Sequence, residues 1–385
     1  MKITKFFALL GAVAFAFAAC EPVVNNGGDN NGNQQGGSDD PERPEPTGSI
    51  TLTADKTSVE IGDIVTFTVT DAENQDVTSQ ANIYDAELTV VEGGKWTAAT
   101  TGVYEFFATV GSENSNYVKI SVMAEVPEIP ENPEPENLAF NHRAILVDFT
   151  GVNCGYCPDM VDELIKLHGT SWVNHYNEVT NHGLASYLTD GDPARSAAAT
   201  TMCNFYGGRI SGLPTLIMNF NGQGINRNYN AMASALQSYI QLDGADVGIS
   251  MAVSGDSEVV YFASEIKAAK TNEYRATAWL LESDIYSPNQ AGATKPEHKI
   301  YDFAIRNGLN ITRSDISGED LGTIEEGKSV EYSRAIEITS NSWKVENCGV
   351  LVIVSAKDKN GKWEVVNSAY CPVNDSKAFE FVTAE

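Results

Sequence analysis

The sequence has few basic residues, and this limits its possible partners. Of its 385 residues, 25 are Lys or Arg and 52 are Asp or Glu, which gives a formal net charge of −27. Basic protein surfaces bind nucleic acids and anionic membrane surfaces, so this charge argues against both as partners. The simplest interpretation of the acidic excess is solubility.

Histidine and cysteine are also sparse, and this limits metal binding. The chain has five His and six Cys, with one Cys-X-X-Cys pair at Cys154 and Cys157. A tetrahedral zinc site needs two further ligands. His142, His168 and His182 lack the paired spacing of zinc ligands. We therefore expect no metal and no bound cofactor, and we expect His168 and His182 to be surface or hydrogen-bonded side chains.

Long apolar runs are missing except at the N-terminus, where one predicts export. Lys2 and Lys5 precede the apolar run "FFALLGAVAFAFA", and small residues lead directly to Cys20. This is the form of a bacterial lipoprotein signal. We expect residues 1–19 to be removed and Cys20 to carry the lipid; the alternative is an ordinary signal peptide cut after Ala19. Lipid would anchor the protein without spanning the membrane, since no later run is long enough to span.

The next segments alternate between polar connections and a β-rich unit. Residues 20–48 contain almost nothing that could be buried, which predicts a disordered tether. Residues 49–124 form short alternating runs such as "IVTFTVT", separated by turn signals, which predict an immunoglobulin-like β-sandwich. It has no cysteine, so the antibody-type disulfide is excluded. It could act as a spacer or as a binding module. Residues 125–138 are rich in Pro and Glu and predict an extended linker.

Residues 139–243 alternate strands with helices and predict an α/β unit. "AILVDF" is a continuous apolar run, typical of a buried central strand. "PDMVDELIKLH" follows as an amphipathic helix with Pro158 in its first turn. Asp192 and Pro193 are the expected N-cap and first residue of a second helix. Residues 244–385 are again β-rich and predict a C-terminal β-sandwich.

The Cys-X-X-Cys pair lies where the buried strand ends and the first helix begins. Cys154 would sit at the helix N-terminus, whose partial positive charge and unpaired N–H groups favour a thiolate. Such placement lowers a thiol pKa from about 8.5 to roughly 3.5–7.5. Cys157, one turn on and expected to be less exposed, could attack a mixed disulfide formed at Cys154. The spacing therefore predicts thiol–disulfide chemistry, with an inert structural disulfide as the alternative.

The stretch "ILVDFTGVNCGYCP" resembles the active-site strand, turn and helix of the thioredoxins. The resemblance implies that Asp148 relays the proton of the resolving cysteine. "SGLPTLIMNFNG" resembles the loop of that family with a cis-proline, which implies that Pro214 faces the cysteines and that the Leu213–Pro214 bond is cis. It also implies a central thioredoxin-like α/β domain that binds substrate through backbone groups, at Gly155, Tyr156, Leu213 and Thr215.

The sequence departs from the thioredoxin pattern in three places. Asn153 replaces the usual Trp before the first cysteine, and Gly155–Tyr156 replaces the inner Gly-Pro. An insertion of roughly 15 residues, around "NHGLASYLTDGDPARS", separates Cys157 from Pro214. No His lies between the cysteines, so we expect a reduction potential of about −200 to −270 mV rather than that of a strong oxidant.

"FTGVNCGYCP" also resembles the F-T-G-x-x-C-G-x-C-P signature of an outer-membrane lipoprotein family of Bacteroidetes, named for an outer-membrane protein of twenty-eight kilodaltons. The C-terminal half resembles the same family in "PEHKIYDFAIRNGL". This resemblance implies a lipid-anchored protein of the outer membrane in the cell envelope. It also implies a thioredoxin-like domain joined to a C-terminal β-domain.

Two classes of function remain open from the sequence. The first is thiol–disulfide exchange on exported proteins that contain cysteines. The second is a non-enzymatic surface binding or adhesion protein that recognises an unknown ligand, with Cys154–Cys157 as a structural disulfide. Cys203 has two interpretations in the same way, as a buried inert thiol or as a third redox cysteine.

Cys348 and Cys371 flank a predicted hairpin. If the four residues 358–361 form its loop, the strand register puts the two cysteines directly opposite each other. A disulfide is geometrically possible across such a pair. We therefore expect a structural disulfide between Cys348 and Cys371.

Overall fold

The computed structural model describes residues 44–123, 126–184 and 191–383. The predicted signal peptide, Cys20 and most of the predicted tether lie outside these residues. Within them, no helix combines the length and the apolar character needed to cross a membrane.

The first β-rich segment forms two small sheets packed face to face, as the alternation predicts. Val65, Phe67 and Val69 point inward from one strand and pack against Phe106 and Ile120 of the other sheet. One sheet has the order β1-β3-β5 and the other β2-β8-β6-β4, with β7 paired to β6. The strands are β1 Ile50–Ala54, β2 Ser58–Glu60, β3 Ile64–Asp71, β4 Asn82–Asp85, β5 Lys95–Thr97, β6 Gly102–Val110, β7 Glu113–Asn114 and β8 Val118–Met123.

The cysteine-bearing segment is built around one fully buried strand. All six residues of β9, Ala144–Phe149, are buried because helices cover both faces. Leu146 on one face packs against α1 and α3, and Val147 on the other packs against α2. The elements are β9, α1 Cys157–His168, β10 Tyr176–Asn181, α2 Ala197–Tyr206, β11 Thr215–Met218, β12 Gly224–Ile225 and α3 Tyr229–Tyr239.

The remaining strands belong to residues 247–377. They are β13 Val247–Gly255, β14 Val259–Ala268, β15 Asn272–Glu282, β16 Ile285–Tyr286, β17 Ile300–Tyr301, β18 Ala304–Gly308, β19 Glu319–Ile324, β20 Ser329–Glu331, β21 Arg334–Glu337, β22 Cys348–Lys357, β23 Trp363–Pro372 and β24 Asp375–Lys377. Most of them form two sheets that share an apolar core, in which Phe262 of β14 and Val352 of β22 take part.

The predicted boundary at residues 243/244 does not separate two independent sheets. One nine-stranded sheet has the order β12-β11-β9-β10-β18-β15-β22-β23, with β19 also paired to β15. It crosses the boundary where β10 pairs in parallel with β18, Thr180 opposite Ala304. If the chain were divided at this boundary, the outer edge of β10 would be unpaired. Trp279 of β15 and Ile353 of β22 would also lose the core they share with β9. The C-terminal region is thus a sandwich whose first sheet continues the central one.

The N-terminal sandwich packs on this C-terminal region. Met123 of β8 lies in an apolar cluster with Val259, Tyr261 and Ala335. The backbone N–H of Ala335 donates to Oγ of Ser121, at 3.0 Å. The two regions are therefore in direct contact, although the connecting residues 126–138 form no helix or strand.

The predicted Cys348–Cys371 disulfide does not form. Both thiols are free and buried. The hairpin loop is one residue longer than assumed, and a bulge between Val354 and Ser355 adds a second shift, so Cys371 lies opposite Val350. The two cysteines share a core but are out of register. Burial raises the pKa of each thiol to about 12.

Candidate functional site

The two cysteines of the motif lie in the turn that joins β9 to α1. The sulfurs of Cys154 and Cys157 are bonded, with 5.4 Å between the Cα atoms. The N–H of Cys154 donates to the carbonyl of Gly151 at 3.0 Å, which tightens the turn. Helix α1 begins at Cys157 with Pro158 in its first turn, as predicted. Cys154 therefore lies just before a helix N-terminus, where a thiolate formed on reduction is stabilised.

Both cysteines are buried, so Cys157 is hardly less exposed than Cys154. Cys154 is 3% exposed and Cys157 is 2% exposed. Residues 287–299, which we call the covering segment, lie against the backbone of this turn. Gln290 of this segment donates from Nε2 to the carbonyl of Cys154 at 3.0 Å, and the N–H of Ala291 donates to the carbonyl of Val152 at 2.8 Å.

Side chains further along the covering segment attach it to α1. Nζ of Lys295 lies 2.6 Å from Oδ1 of Asp162, and Nε2 of His298 lies 3.0 Å from the same oxygen. These bonds, first that of His298 and then that of Lys295, lower the pKa of Asp162. The hydroxyl of Tyr301 donates to Oε1 of Gln290 at 2.6 Å, which orients the amide toward Cys154. No feature of the local sequence pattern identifies these residues as neighbours of the cysteines.

Asp148 lies on β9 and is buried, as the thioredoxin resemblance implies for a proton relay. Its Oδ1 has no hydrogen-bond partner among the described residues. Burial, and secondly the nearby charge of Glu178, raise the pKa of this carboxyl well above its usual range. Asp148 and Cys157 line the same cavity of about 200 Å³. In this position the carboxyl can supply a proton to the cavity that Cys157 lines when it is protonated, and can receive one when it is ionised.

The cavity lies between α1 on one side and the covering segment with the residues that follow it on the other. Apolar side chains of α1, including Val161 and Leu164, form one wall, and Ile300 and Phe303 form the other. His168 and Glu178, which are hydrogen-bonded at 2.9 Å, and also His298 contribute its polar lining. The hydrogen bond to Glu178 is the main reason that the pKa of His168 is raised, in spite of burial.

Replacing Asp148 with alanine is expected to stabilise the protein at pH 8 by roughly 1–3 kcal/mol, because it removes an unpartnered buried carboxyl. The pKa of Asp148 is raised in the folded state, so its favourable contribution is complete below the unfolded pKa of about 3.9 and is lost as pH rises through the folded pKa. The advantage of Asp148→Ala should therefore be absent near pH 4 and grow toward pH 8. Denaturant unfolding at several pH values measures it. An advantage that does not change with pH would contradict a raised pKa.

The predicted cis-proline is next to this turn in the fold. The Leu213–Pro214 bond is cis. Thr215 begins β11 and pairs with Phe149, the last residue of β9 before the cysteine turn. The hydroxyl of Thr215 donates to the carbonyl of Gly212 at 2.6 Å. The proline loop therefore enters β11 at the same end of the sheet at which the cysteine turn leaves β9.

The two residues between the cysteines have different surroundings. Tyr156 is 70% exposed. Its carbonyl accepts from Nη1 of Arg227 at 3.0 Å, and the guanidinium lies 5.7 Å from the centre of the Tyr156 ring. Gly155 instead lies against Gly292 of the covering segment. Of the four predicted substrate-contact residues, Gly155 and Tyr156 are thus exposed, whereas Leu213 is half-buried and Thr215 is buried.

Asp192 has a different role from the predicted helix cap. Ser196 caps α2, its hydroxyl accepting from the N–H of Ala199 at 3.0 Å. Oδ2 of Asp192 accepts from the N–H of Val152 at 3.0 Å and lies 2.8 Å from Nδ1 of His182. Burial alone would raise the pKa of Asp192, but these hydrogen bonds outweigh it and the pKa is lowered. The buried Asp192–His182 pair therefore fixes the start of the cysteine turn.

Cys203 is separate from the disulfide. It is free and buried in α2, and its Sγ donates to Oδ1 of Asn181 at 3.1 Å. Burial raises the pKa of its thiol to about 12, which favours the inert interpretation over a third redox cysteine. Across the described part of the chain, no group of three or more His, Cys, Asp or Glu side chains is arranged to hold a metal ion.

Comparison with known proteins gives one family and several distant structures. No curated protein matches the sequence. Among solved structures, the chain is similar to HBP35 of Porphyromonas gingivalis, with 16% identity, 65% of this chain and 80% of that chain covered, and a TM-score of 0.48. It is also similar to trypsin-activated alpha-2-macroglobulin from Escherichia coli, with 8% identity, 87% and 16% coverage, and a TM-score of 0.17.

The family model described as outer membrane protein Omp28 matches residues 201–375. The matched part contains Pro214 and the covering segment but neither Cys154 nor Cys157. This part of the chain is therefore similar to the family whose signature the sequence resembles at residues 149–158.

Proposed function

We propose that the protein carries out thiol–disulfide exchange on exported proteins that contain cysteines, through a thioredoxin-like unit at residues 139–243. The observation that carries this proposal is the set of groups around one disulfide. Cys154 precedes a helix N-terminus, the buried carboxyl of Asp148 lines a cavity with Cys157, and the cis bond before Pro214 lies directly before the adjacent strand β11. A structural disulfide would need none of these three features.

Each step of the exchange moves one sulfur–sulfur bond. A partner thiolate attacks the sulfur of Cys154, the Cys154–Cys157 bond breaks, and its electron pair leaves on Cys157, which takes a proton from Asp148. A second partner thiolate then attacks the partner sulfur of this mixed disulfide and releases Cys154 as a thiolate. The partner dithiol is oxidised by two electrons and the protein is reduced by two. The reverse sequence reduces a partner disulfide, with Asp148 as the proton acceptor.

An exchange assay with a disulfide-bonded model protein tests this proposal. The pre-reduced wild-type protein should produce new thiols on the model protein. The double variant Cys154→Ser/Cys157→Ser, which keeps the three buried thiols, should produce none above the uncatalysed background. Equal activity of the two proteins would overturn the proposal.

A second candidate is a non-enzymatic binding or adhesion protein, in which the disulfide is structural. The observation that favours it is the burial of both cysteines, together with the hydrogen bond of the covering segment to the carbonyl of Cys154. In that case the disulfide would hold the turn in shape and the ligand would bind elsewhere. The reduction potential of the Cys154–Cys157 couple separates the two candidates.

We propose that the protein resides in the outer membrane of the cell envelope through lipid on Cys20. The name of the family matched at residues 201–375 supports this location. Cys20→Ala is expected to release the protein from membranes, since this lipid is the predicted anchor. Fractionation after a high-salt wash measures the release, with the wild-type protein as the control. A variant that still sediments with membranes would contradict the lipid anchor.

A further inference from the structure

We propose that the covering segment, residues 287–299, is a lid that controls access to the Cys154–Cys157 disulfide and so determines which partners can exchange with it. Gln290 and Gly292 are the residues that set its closure. The choice of partners rests on the function proposed above. That the segment covers the disulfide does not rest on that function, because the coverage follows from the contacts of the segment itself.

The lid lies directly on the peptide groups around Cys154. Gln290 and Ala291 donate to the carbonyls of Cys154 and Val152, at 3.0 and 2.8 Å. A partner chain that reaches the sulfur of Cys154 has to approach these same groups. With the lid closed, that approach is blocked and Cys154 is 3% exposed.

Gly292 is the point of closest contact. Its φ of +72° is in the region that favours glycine. A Cβ added there would lie 2.2 Å from the carbonyl oxygen of Gly155 and 2.9 Å from its carbonyl carbon, distances that no real side chain adopts. The contact of the two backbones therefore requires glycine at position 292. A larger residue has to push the lid away from the cysteine turn.

The lid is attached by polar contacts rather than by an apolar core. Within residues 287–299 the buried side chains are Ser287, Gln290 and His298, and none of them is apolar. Segments that bury little apolar surface are among the first to open in a folded protein. Opening therefore costs a few hydrogen bonds and the ion pair of Lys295 with Asp162, without exposing a core.

The base of the lid can stay in place while the lid opens. The two strands that flank it, β16 and β17, pair with each other, with Ile285 opposite Tyr301 and Tyr286 opposite Ile300. The lid is thus the loop of a small hairpin. It can leave the cysteine turn by bending at its ends, without disturbing the pairing of β16 with β17.

Gly292→Ala tests the lid directly. We expect the oxidised variant to be reduced by tris(2-carboxyethyl)phosphine about fivefold faster than wild type or more, the change expected when roughly one hydrogen bond that closes the lid is lost. Gly361→Ala is the matched control: Gly361 has a φ of +75°, but nothing lies within 4 Å of the added Cβ. It carries the same backbone strain far from the lid and should stay within about twofold of wild type. Equal reduction rates for the two variants would overturn the proposal.

Two further measurements keep the outcomes distinct. Cys203, Cys348 and Cys371 should remain unreactive toward iodoacetamide in Gly292→Ala, because they are buried in the fold. If they react, the variant has unfolded, and Gln290→Ala decides instead: faster reduction than wild type supports the lid, and an unchanged rate overturns it. Exchange with a disulfide-bonded model protein is measured in parallel. If the reduction rates differ as expected but neither the wild type nor any variant exchanges with the model protein, the function proposed above is wrong and the lid is still supported.

Discussion

Replacing Cys157 with serine should leave partner proteins attached to Cys154 as mixed disulfides, whereas replacing Cys154 should leave none. Exchange in the reducing direction begins when the Cys154 thiolate attacks a partner disulfide, and it ends when Cys157 attacks the mixed disulfide and releases the partner. Serine at 157 removes the second step and keeps the first. Serine at 154 removes the sulfur that lies before the helix N-terminus, where a thiolate is stabilised.

The trapping experiment uses the full-length protein in its native envelope, read on non-reducing gels. Both single variants should also carry Cys203→Ser, so that no adduct can arise from that thiol. Adding Gly292→Ala to Cys157→Ser should increase the amount of adduct, since the lid is then displaced. Adducts of equal amount on Cys154→Ser and Cys157→Ser would mean that the two sulfurs have no separate roles, and the structural interpretation would be preferred.

Replacing Arg306 with methionine is expected to lower the free energy of unfolding by roughly 3–5 kcal/mol, the usual result of removing one partner of a buried ion pair. Nε of Arg306 lies 2.7 Å from Oε2 of Glu282, and each side chain is 3% exposed. Arg306 also donates to the carbonyl of Pro193 at 2.8 Å, and Glu282 accepts from the N–H of Lys344 at 3.0 Å. The pair joins β15 and β18 to the chain just after Asp192. Replacing Arg306 leaves the buried carboxylate of Glu282 without its cation.

Denaturant unfolding measures this loss, and the chain offers a matched control. Lys357 and Glu273 are also 2.7 Å apart, but their side chains are 45% and 56% exposed. Lys357→Met should therefore cost about 0–1 kcal/mol. The double variant Arg306→Met/Glu282→Met should be more stable than Arg306→Met alone, because it leaves no unpaired charge. If Arg306→Met costs no more than Lys357→Met, burial does not determine how much these ion pairs contribute.

The features of the site that the sequence predicts are those encoded by neighbouring residues. The apolar run of β9, the start of α1 at Cys157 and the cis bond before Pro214 each follow from a short motif. They depend on local periodicity, turn chemistry and a resemblance carried by contiguous letters. The alternating strands of the first sandwich are predicted for the same reason.

The features that the sequence does not predict depend on contacts between distant residues. The lid reaches Cys154 from Gln290, which is 136 positions away, and no short motif in its own sequence marks that contact. Asp192 follows the usual pattern of a helix cap, yet its carboxylate binds Val152. In the β22–β23 hairpin, a loop one residue longer than assumed and one bulge together move Cys371 away from Cys348. For the lid and for Asp192 a tertiary contact decides the outcome rather than the local propensity, and in the hairpin the loop length and the bulge decide it.

The reduction potential of the Cys154–Cys157 couple distinguishes an exchange centre from a structural disulfide. It is measured by equilibrating the full chain with defined ratios of reduced and oxidised glutathione and then alkylating the free thiols. It does not depend on how fast the lid opens. A thiolate stabilised at the start of α1 favours the reduced form, so we predict a potential between about −200 and −270 mV. A potential below about −300 mV, typical of structural disulfides, would contradict an exchange centre and favour the binding protein instead.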